Sequence, residues 1–532
     1  MIVTQQPLLQ KKMHEETMEV PSRNVKSFDE EFDVVVVGYG YSGGISAVEA
    51  AKAGAKVLLI EKTTVPGGIS ICSYGAVRCA KAKKPAYDYL KITNGGRTPD
   101  DVVRVLADGM AEMEDYVREL AKVNGSTIST TEEYGKGANY PLPGWDAFYH
   151  TNIDWVPNFD ARAAYPWAVG APGGPRTFKV VADNVDARDV EVRYNTKALR
   201  LITNGSSNEV IGVTTETKGQ ISHIRARRGV VLATGGFEGS DEFREQFWEG
   251  YPILPAAARH NTGDGIRMAQ DLGASLWHMW HFHGAYGFKH PDPEYPYAIR
   301  VKRLPDWTPG REANAHTKMA WILLDQSGRR YMNEYQPYTQ DTTQRPMHYF
   351  DPVTQTYPRN PSVFICDEKG RQAYPLGRPT SNDDGVLYEW SEDNQKEIEL
   401  GILKKASSLG ELANQLQVDK GRLVDSIKRW NDFCARGKDD DFGRPGGTMM
   451  SIDTPPYYGA PVWCVVSNTQ GGPVHNARQQ IVDSFGQPVP RLYAVGELGS
   501  SFGHLYMSGG NIAECFVTGQ VAGREVAALS RS

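Results

Sequence analysis

The stretch from Val34 to Glu61 restricts this chain more than any other. Val34-Val35-Val36-Val37 is a continuous β-branched run, the pattern of a strand buried on both faces. Gly38-Tyr39-Gly40-Tyr41-Ser42-Gly43 follows, and an alanine-rich stretch of helical character then runs to about Ala53. A second apolar run, 56–60, ends on Glu61, with Lys62 beside it. Strand, glycine-rich turn, helix, strand and terminal acid make a βαβ unit suited to a dinucleotide. Gly38, Gly40 and Gly43, with Ser42, let the backbone turn tightly and approach a pyrophosphate, whose charge the helix N-terminus favours. Glu61 is placed to accept hydrogen bonds from a ribose.

Three further stretches choose FAD over a nicotinamide. Pro66 to Gly75 is a second glycine- and serine-rich loop, offering Gly67, Gly68, Ser70, Ser73 and Gly75. Ala233-Thr234-Gly235-Gly236 closes a block of short strands expected at 190–194, 209–215 and 229–233. Tyr493-Ala494-Val495-Gly496-Glu497 is a strand-to-glycine turn near the far end of the chain. A nicotinamide Rossmann domain needs none of these. An FAD stretched across a domain built from distant segments uses all of them.

At 532 residues the chain is too long for one simple core. Between 266 and 450 its texture changes to Trp, Tyr, His and Pro, with few βαβ signals. The expected architecture is α/β: a Rossmann-type, glutathione-reductase-like FAD-binding domain with an inserted α+β catalytic domain. Residues 1–30 read as an extension, 31–265 as the first part of the FAD domain, 266–450 as the catalytic insert and 451–532 as the second part. A final helix is expected from about Asn511.

The net charge of -6 gives no basic surface for nucleic acid. No run of about 18 apolar residues would cross a bilayer. The N-terminus lacks the apolar core of a signal peptide. Six scattered cysteines, without a CxxC, read as reduced thiols. These features predict a cytoplasmic protein without a transmembrane segment. His278, His281 and His283 lack a fourth ligand at metal spacing, so they read as pocket or core residues and no metal is expected. Asp367 and the run Lys438 to Asp441 read as surface.

With these stretches the chain, from about Phe32 onward, resembles the flavoprotein family of fumarate reductase, urocanate reductase and the 3-ketosteroid dehydrogenases. Asn261-Thr262-Gly263-Asp264-Gly265 is similar to that family's TGDG loop, which makes Asn261 and Asp264 candidate cofactor residues, together with Ala198, Asn511 and Ile512. The segment between Gly68 and Gly75 has no histidine, unlike the branch that tethers FAD covalently, so the resemblance implies a non-covalent flavin. The helix starting at Asn511 would aim its amides at the flavin's pyrimidine edge.

Gly328 to Tyr338 resembles the family's GxRFxNE segment, whose proton-transfer position falls on Tyr338. Fumarate reductases have arginine there and another just before the paired glycines, where this chain has Met507 and Ser508. The ketosteroid branch instead grips a ketone oxygen with a tyrosine and a glycine amide four residues on, here Tyr506 and Gly510. Tyr-x-Ser-Gly-Gly is most like the 4-dehydrogenases of 3-keto-5α-steroids, where the serine handles a proton. The resemblance thus implies α-proton removal by Ser508 and Tyr338 and hydride transfer to flavin N5, on a bulky apolar ketone. Two other enzymes fit the chain less closely: an ene-reductase of a non-steroidal enone and a fumarate-type reductase. A flavin-binding protein without catalysis is the reading from another class. The electron partner, the direction and the ring position stay open.

Overall fold

The computed structural model describes residues 21–131, 139–168, 172–205, 207–302, 318–335, 344–378 and 387–532. Strand Glu30–Val37 is buried from Phe32 onward because it lies at the centre of a largely parallel sheet. It pairs with Val57–Ile60 on one side (Val36 opposite Leu59) and with Gln220–Leu232 on the other (Val36 opposite Val231). Val190–Arg193 extends the first edge, and Pro488–Ala494 joins beyond Gln220–Leu232. Neighbours in this sheet therefore come from both ends of the chain. Gln480–Val482, paired with Pro488–Ala494, and an antiparallel ribbon, Thr196–Asn204 with Glu209–Thr217, complete the eight strands.

Two helices cover one face. Tyr41–Lys52 begins directly after the glycine turn, and Gly510–Ala528 packs along it. The first helix sits very close to its strand: a Cβ on Gly43 would fall 1.9 Å from the Gly38 carbonyl oxygen. That approach excludes any other residue at 43.

The second sheet has seven strands, drawn from Leu254 to Thr469, a wider span than 266–450. Its long member Tyr457–Thr469 pairs antiparallel with Phe282–Lys289 and Ser362–Asp367. Phe282, Tyr286 and Phe288 are buried here, whereas Trp280 is 41% exposed. Opposite His283 and Gly284 the ladder carries a bulge that leaves Ser467 as an extra residue between Val466 and Asn468. A small sheet pairs Val77–Ala80 with Phe148–Trp155 and brings Arg78 opposite His150.

Two acids expected at the surface, Asp367 and Asp439, are inside, while Lys438, Asp440 and Asp441 are exposed. Asp367 is fully buried, accepting from the Gly370, Asp453 and Thr454 amides at a helix start. Asp439 is buried with Arg330, Glu334 and Arg444. Both carboxylates satisfy donors that would otherwise be stranded, which outweighs their desolvation. Among the described residues, no helix is long and apolar enough to cross a membrane.

Candidate active site

The glycine turn opens onto a cavity of about 600 Å³. Gly38, Gly40, Ser42, Glu61, Lys62, Gly67, Gly68, Ser70, Ala198, Ala233, Thr234, Gly235, Asn261, Asp264 and Glu497 all line it. The turn is braced by Glu61, which accepts from the Tyr39 amide at 3.0 Å and the Thr63 amide at 2.9 Å. Lys62 reaches across to Asp264 (2.7 Å) and Thr262 (3.0 Å). Gly43, Gly75 and Gly496 are not among its lining residues; they permit close backbone packing behind it. The donor set fits a dinucleotide: glycine backbone at a helix start, a carboxylate at the next strand end, and Thr234, whose buried hydroxyl has no partner among the described residues.

A second cavity, about 170 Å³, adjoins the first and shares Ile69, Ser70, Glu497 and Cys515 with it. Tyr506, Ser508, Ser73, Asn511 and Ile512 line it. Gly509, in left-handed backbone, caps the C-terminal helix, so the loop 506–509 is presented at that helix's positive end. The Asn511 side chain is held in the first turn by Asn468, Gln470 and Glu514.

Tyr506 is buried, edge-on to Phe502 at 5.3 Å and against the His283 ring at 4.2 Å. Its oxygen accepts from the Asn511 amide at 3.4 Å. Burial is the main cause that lifts its phenol above the ordinary range, so it stays a proton-bearing donor at neutral pH. The Gly510 amide donates to the Met507 carbonyl at 2.9 Å, closing the turn, and Gly510 is not among the described residues lining the cavity. Ser508 does line it, and its own carbonyl is fixed from behind by Arg78 Nε at 2.7 Å and His150 Nε2 at 3.3 Å. Tyr338 lies outside the described residues.

Glu497 stands where the cavities meet, and a second buried carboxyl group, Glu238, lies beside it. Asn261 Nδ2 donates to Glu238 at 2.8 Å, and the Thr469 amide donates to Glu497 at 2.7 Å. Glu238 is raised well above the ordinary range, first by burial and then by the charge of Glu497. Glu497 is pushed up to about 7, mainly by burial. Such a pair holds one proton between its members at neutral pH. A folded-state value above the free value of 4.5 stabilises the fold fully below about pH 4.5, and that contribution is lost as pH rises through 7. Flavin-free protein should thus melt lower at about pH 8 than at about pH 5.5. Glu238→Gln keeps a donor toward Glu497 and should flatten that slope in a thermal scan. Equal slopes in variant and parent would assign the pH dependence elsewhere.

Sequence reasoning missed Glu238, Arg300 and Arg378, and it left the role of His283 open. Arg300 and Arg378 line the smaller cavity, as do His150, Ser467 and Asn468. His283 Nδ1 lies 2.7 Å from Asn468 Oδ1. His278 and His281 bond to the Ser500 and Phe502 carbonyls, so all three histidines serve the loop and the cavity wall.

A family model described as "FAD binding domain" matches residues 33–512. Fumarate reductase (cytochrome) of Shewanella frigidimarina is 26% identical over 515 residues, covering 94% of this chain and 77% of that protein. Digoxin reductase of Eggerthella lenta is 28% identical over 536 residues, covering 94% and 87%. Among solved structures, 3-ketosteroid delta1-dehydrogenase from Sterolibacterium denitrificans, in complex with 1,4-androstadiene-3,17-dione, aligns with a TM-score of 0.77 at 23% identity. That alignment covers 94% of this chain and 100% of the other and is a likeness of fold.

Proposed function

The chain belongs to the FAD-binding family whose model spans residues 33–512, and from that premise we propose that it moves hydrogen across the C–C bond beside a ketone, with Tyr506 holding the carbonyl oxygen. FAD is its cofactor, and when bound it supplies two-electron hydride chemistry.

The chain's own residues supply the rest. The Tyr506 hydroxyl, beside the Asn511 amide at the helix start, donates to the substrate oxygen. A hydrogen bond to that oxygen lowers the energy of the enolate that forms when the α-proton leaves. The Ser508 hydroxyl lines the same cavity, its backbone held by Arg78, and it takes or returns that proton, with Tyr338 as its partner. Run in reverse, the same groups protonate the α-carbon as an enone is saturated. The observation that carries this reading is the common wall: the chamber lined by Tyr506 and Ser508 shares Ile69, Ser70, Glu497 and Cys515 with the dinucleotide cavity.

The reading is tested on the purified yellow protein without oxygen. A saturated cyclic ketone should bleach the flavin, or a cyclic enone should reoxidise the photoreduced protein. If both leave the flavin spectrum static, the reading is lost. Ser508→Ala should keep its flavin and slow this step by about 10- to 100-fold. Equal rates in variant and parent would move the proton to another group.

A 3-ketosteroid is the second reading, favoured by the sequence Tyr506-Met507-Ser508-Gly509-Gly510. Against it, the chamber's volume of about 170 Å³ lies below the roughly 300–1,000 Å³ of sites for drug-sized ligands, which favours a smaller ring.

A further inference from the structure

Among the described residues, two arginines line the small chamber. Val301 and Gly377 form an antiparallel bridge, flanked by bonds from the Arg378 amide to the Arg300 carbonyl (2.8 Å) and from the Lys302 amide to the Leu376 carbonyl (2.7 Å). That register sets Arg300 directly opposite Arg378, and both line the chamber. Arg300 also donates through Nη2 to Ser467, the bulge residue of Tyr457–Thr469. Among the described lining residues the only carboxylate is Glu497, which is shared with the dinucleotide cavity and tied to Glu238 and Thr469. Guanidinium groups are matched in shape and charge to a carboxylate, which they bind through paired N–H donors.

We propose that Arg300 and Arg378 form a carboxylate-binding subsite, so that the substrate is a ketone or enone bearing an acid group away from its carbonyl. The subsite rests on the ketone reading above for its second anchor, Tyr506. Together the two anchors orient the ring: the oxygen is fixed at the helix start and the acid at the strand pair. A neutral ketone of the same shape would lack the ionic contact with the two guanidinium groups, and it would be bound more weakly.

The test uses the flavin-loaded protein and two probes, 4-oxocyclohexanecarboxylate and its methyl ester, each titrated while the flavin absorption bands are followed. The acid should bind at least about tenfold more tightly than the ester. Arg378→Gln should remove that preference with flavin content unchanged, and Arg378→Lys should restore part of it. Equal affinity of acid and ester for the parent overturns the subsite, as does an undiminished preference in Arg378→Gln. If neither probe perturbs the bands, the subsite is likewise rejected. Failure of the ketone reading shows separately: the acid is preferred and binds through Arg378, yet it neither bleaches oxidised flavin nor, as the enone, reoxidises reduced flavin.

Discussion

Tyr506→Phe is expected to stay yellow, with unchanged flavin content, while turnover falls by about 10²-fold or more. The variant separates shape from chemistry. A phenylalanine keeps the edge-on contact with Phe502 at 5.3 Å and the face against His283 at 4.2 Å. Only the hydroxyl goes, and with it the donor that stabilises charge on the substrate oxygen. The Gly510 amide is already engaged with the Met507 carbonyl, so no neighbour in that turn stands ready to replace it. Single-turnover flavin reduction is the right measurement, because it reads the chemical step apart from the electron partner. An unchanged rate would remove the carbonyl-holding role from Tyr506 and with it the proposed function.

The second large effect concerns stability. Glu334 lies fully buried between Arg330 (2.9 Å through each of two nitrogens) and Arg444 (3.3 Å). Asp439 binds Arg330 from the other side at 3.0 Å, and both guanidinium groups lie against the Trp430 ring, at 4.6 and 4.7 Å. Burial alone would raise the Glu334 carboxyl; the charges and hydrogen bonds of Arg330 and Arg444 hold it below its usual value. Glu334→Gln keeps the shape and removes the charge, leaving two buried cations with one carboxylate. A loss of about 3–5 kcal/mol is expected, read as an earlier denaturant midpoint. An unmoved midpoint would show that Asp439 and the carbonyls around Arg444 carry the cluster alone. The Asn333-Glu334 pair, read in the sequence as a marker of the catalytic segment, is in this sense first an anchor.

The cofactor half was legible because its signals are local. An unbroken β-branched run, a glycine turn and an acid at the next strand end lie within one short stretch, and physical chemistry assigns each a place. The strand 190–194 and the terminal helix were likewise readable to within a residue or so, as Val190–Arg193 and Gly510–Ala528. Phe282–Lys289 was not, since it is buried on both faces and shows no alternation of polar and apolar residues. Arg300 and Arg378 escaped for another reason. Each is an ordinary arginine in its own segment, and only the pairing of Val301 with Gly377 makes them neighbours. Asp367 and Asp439 misled because a charge in a polar run reads as solvated, while the partners that justify burying it lie far along the chain. Tyr506 and Ser508 were legible as a pair of hydroxyls, but the engagement of the Gly510 amide within its own turn is a backbone detail that sequence does not carry.

The extra residue at Ser467 has a consequence for how this chamber can change. In an unbroken strand, successive side chains point to opposite faces, so one of Ser467 and Asn468 would face away. The bulge lets both line the chamber, while Thr469 beyond them reaches Glu497. Point replacements here can therefore tune what is bound, one contact at a time. Removing a single codon would rotate the strand's end by half a period, trading every contact at once, so a lineage of such proteins can diversify at this spot by exchange of letters but hardly by change of length.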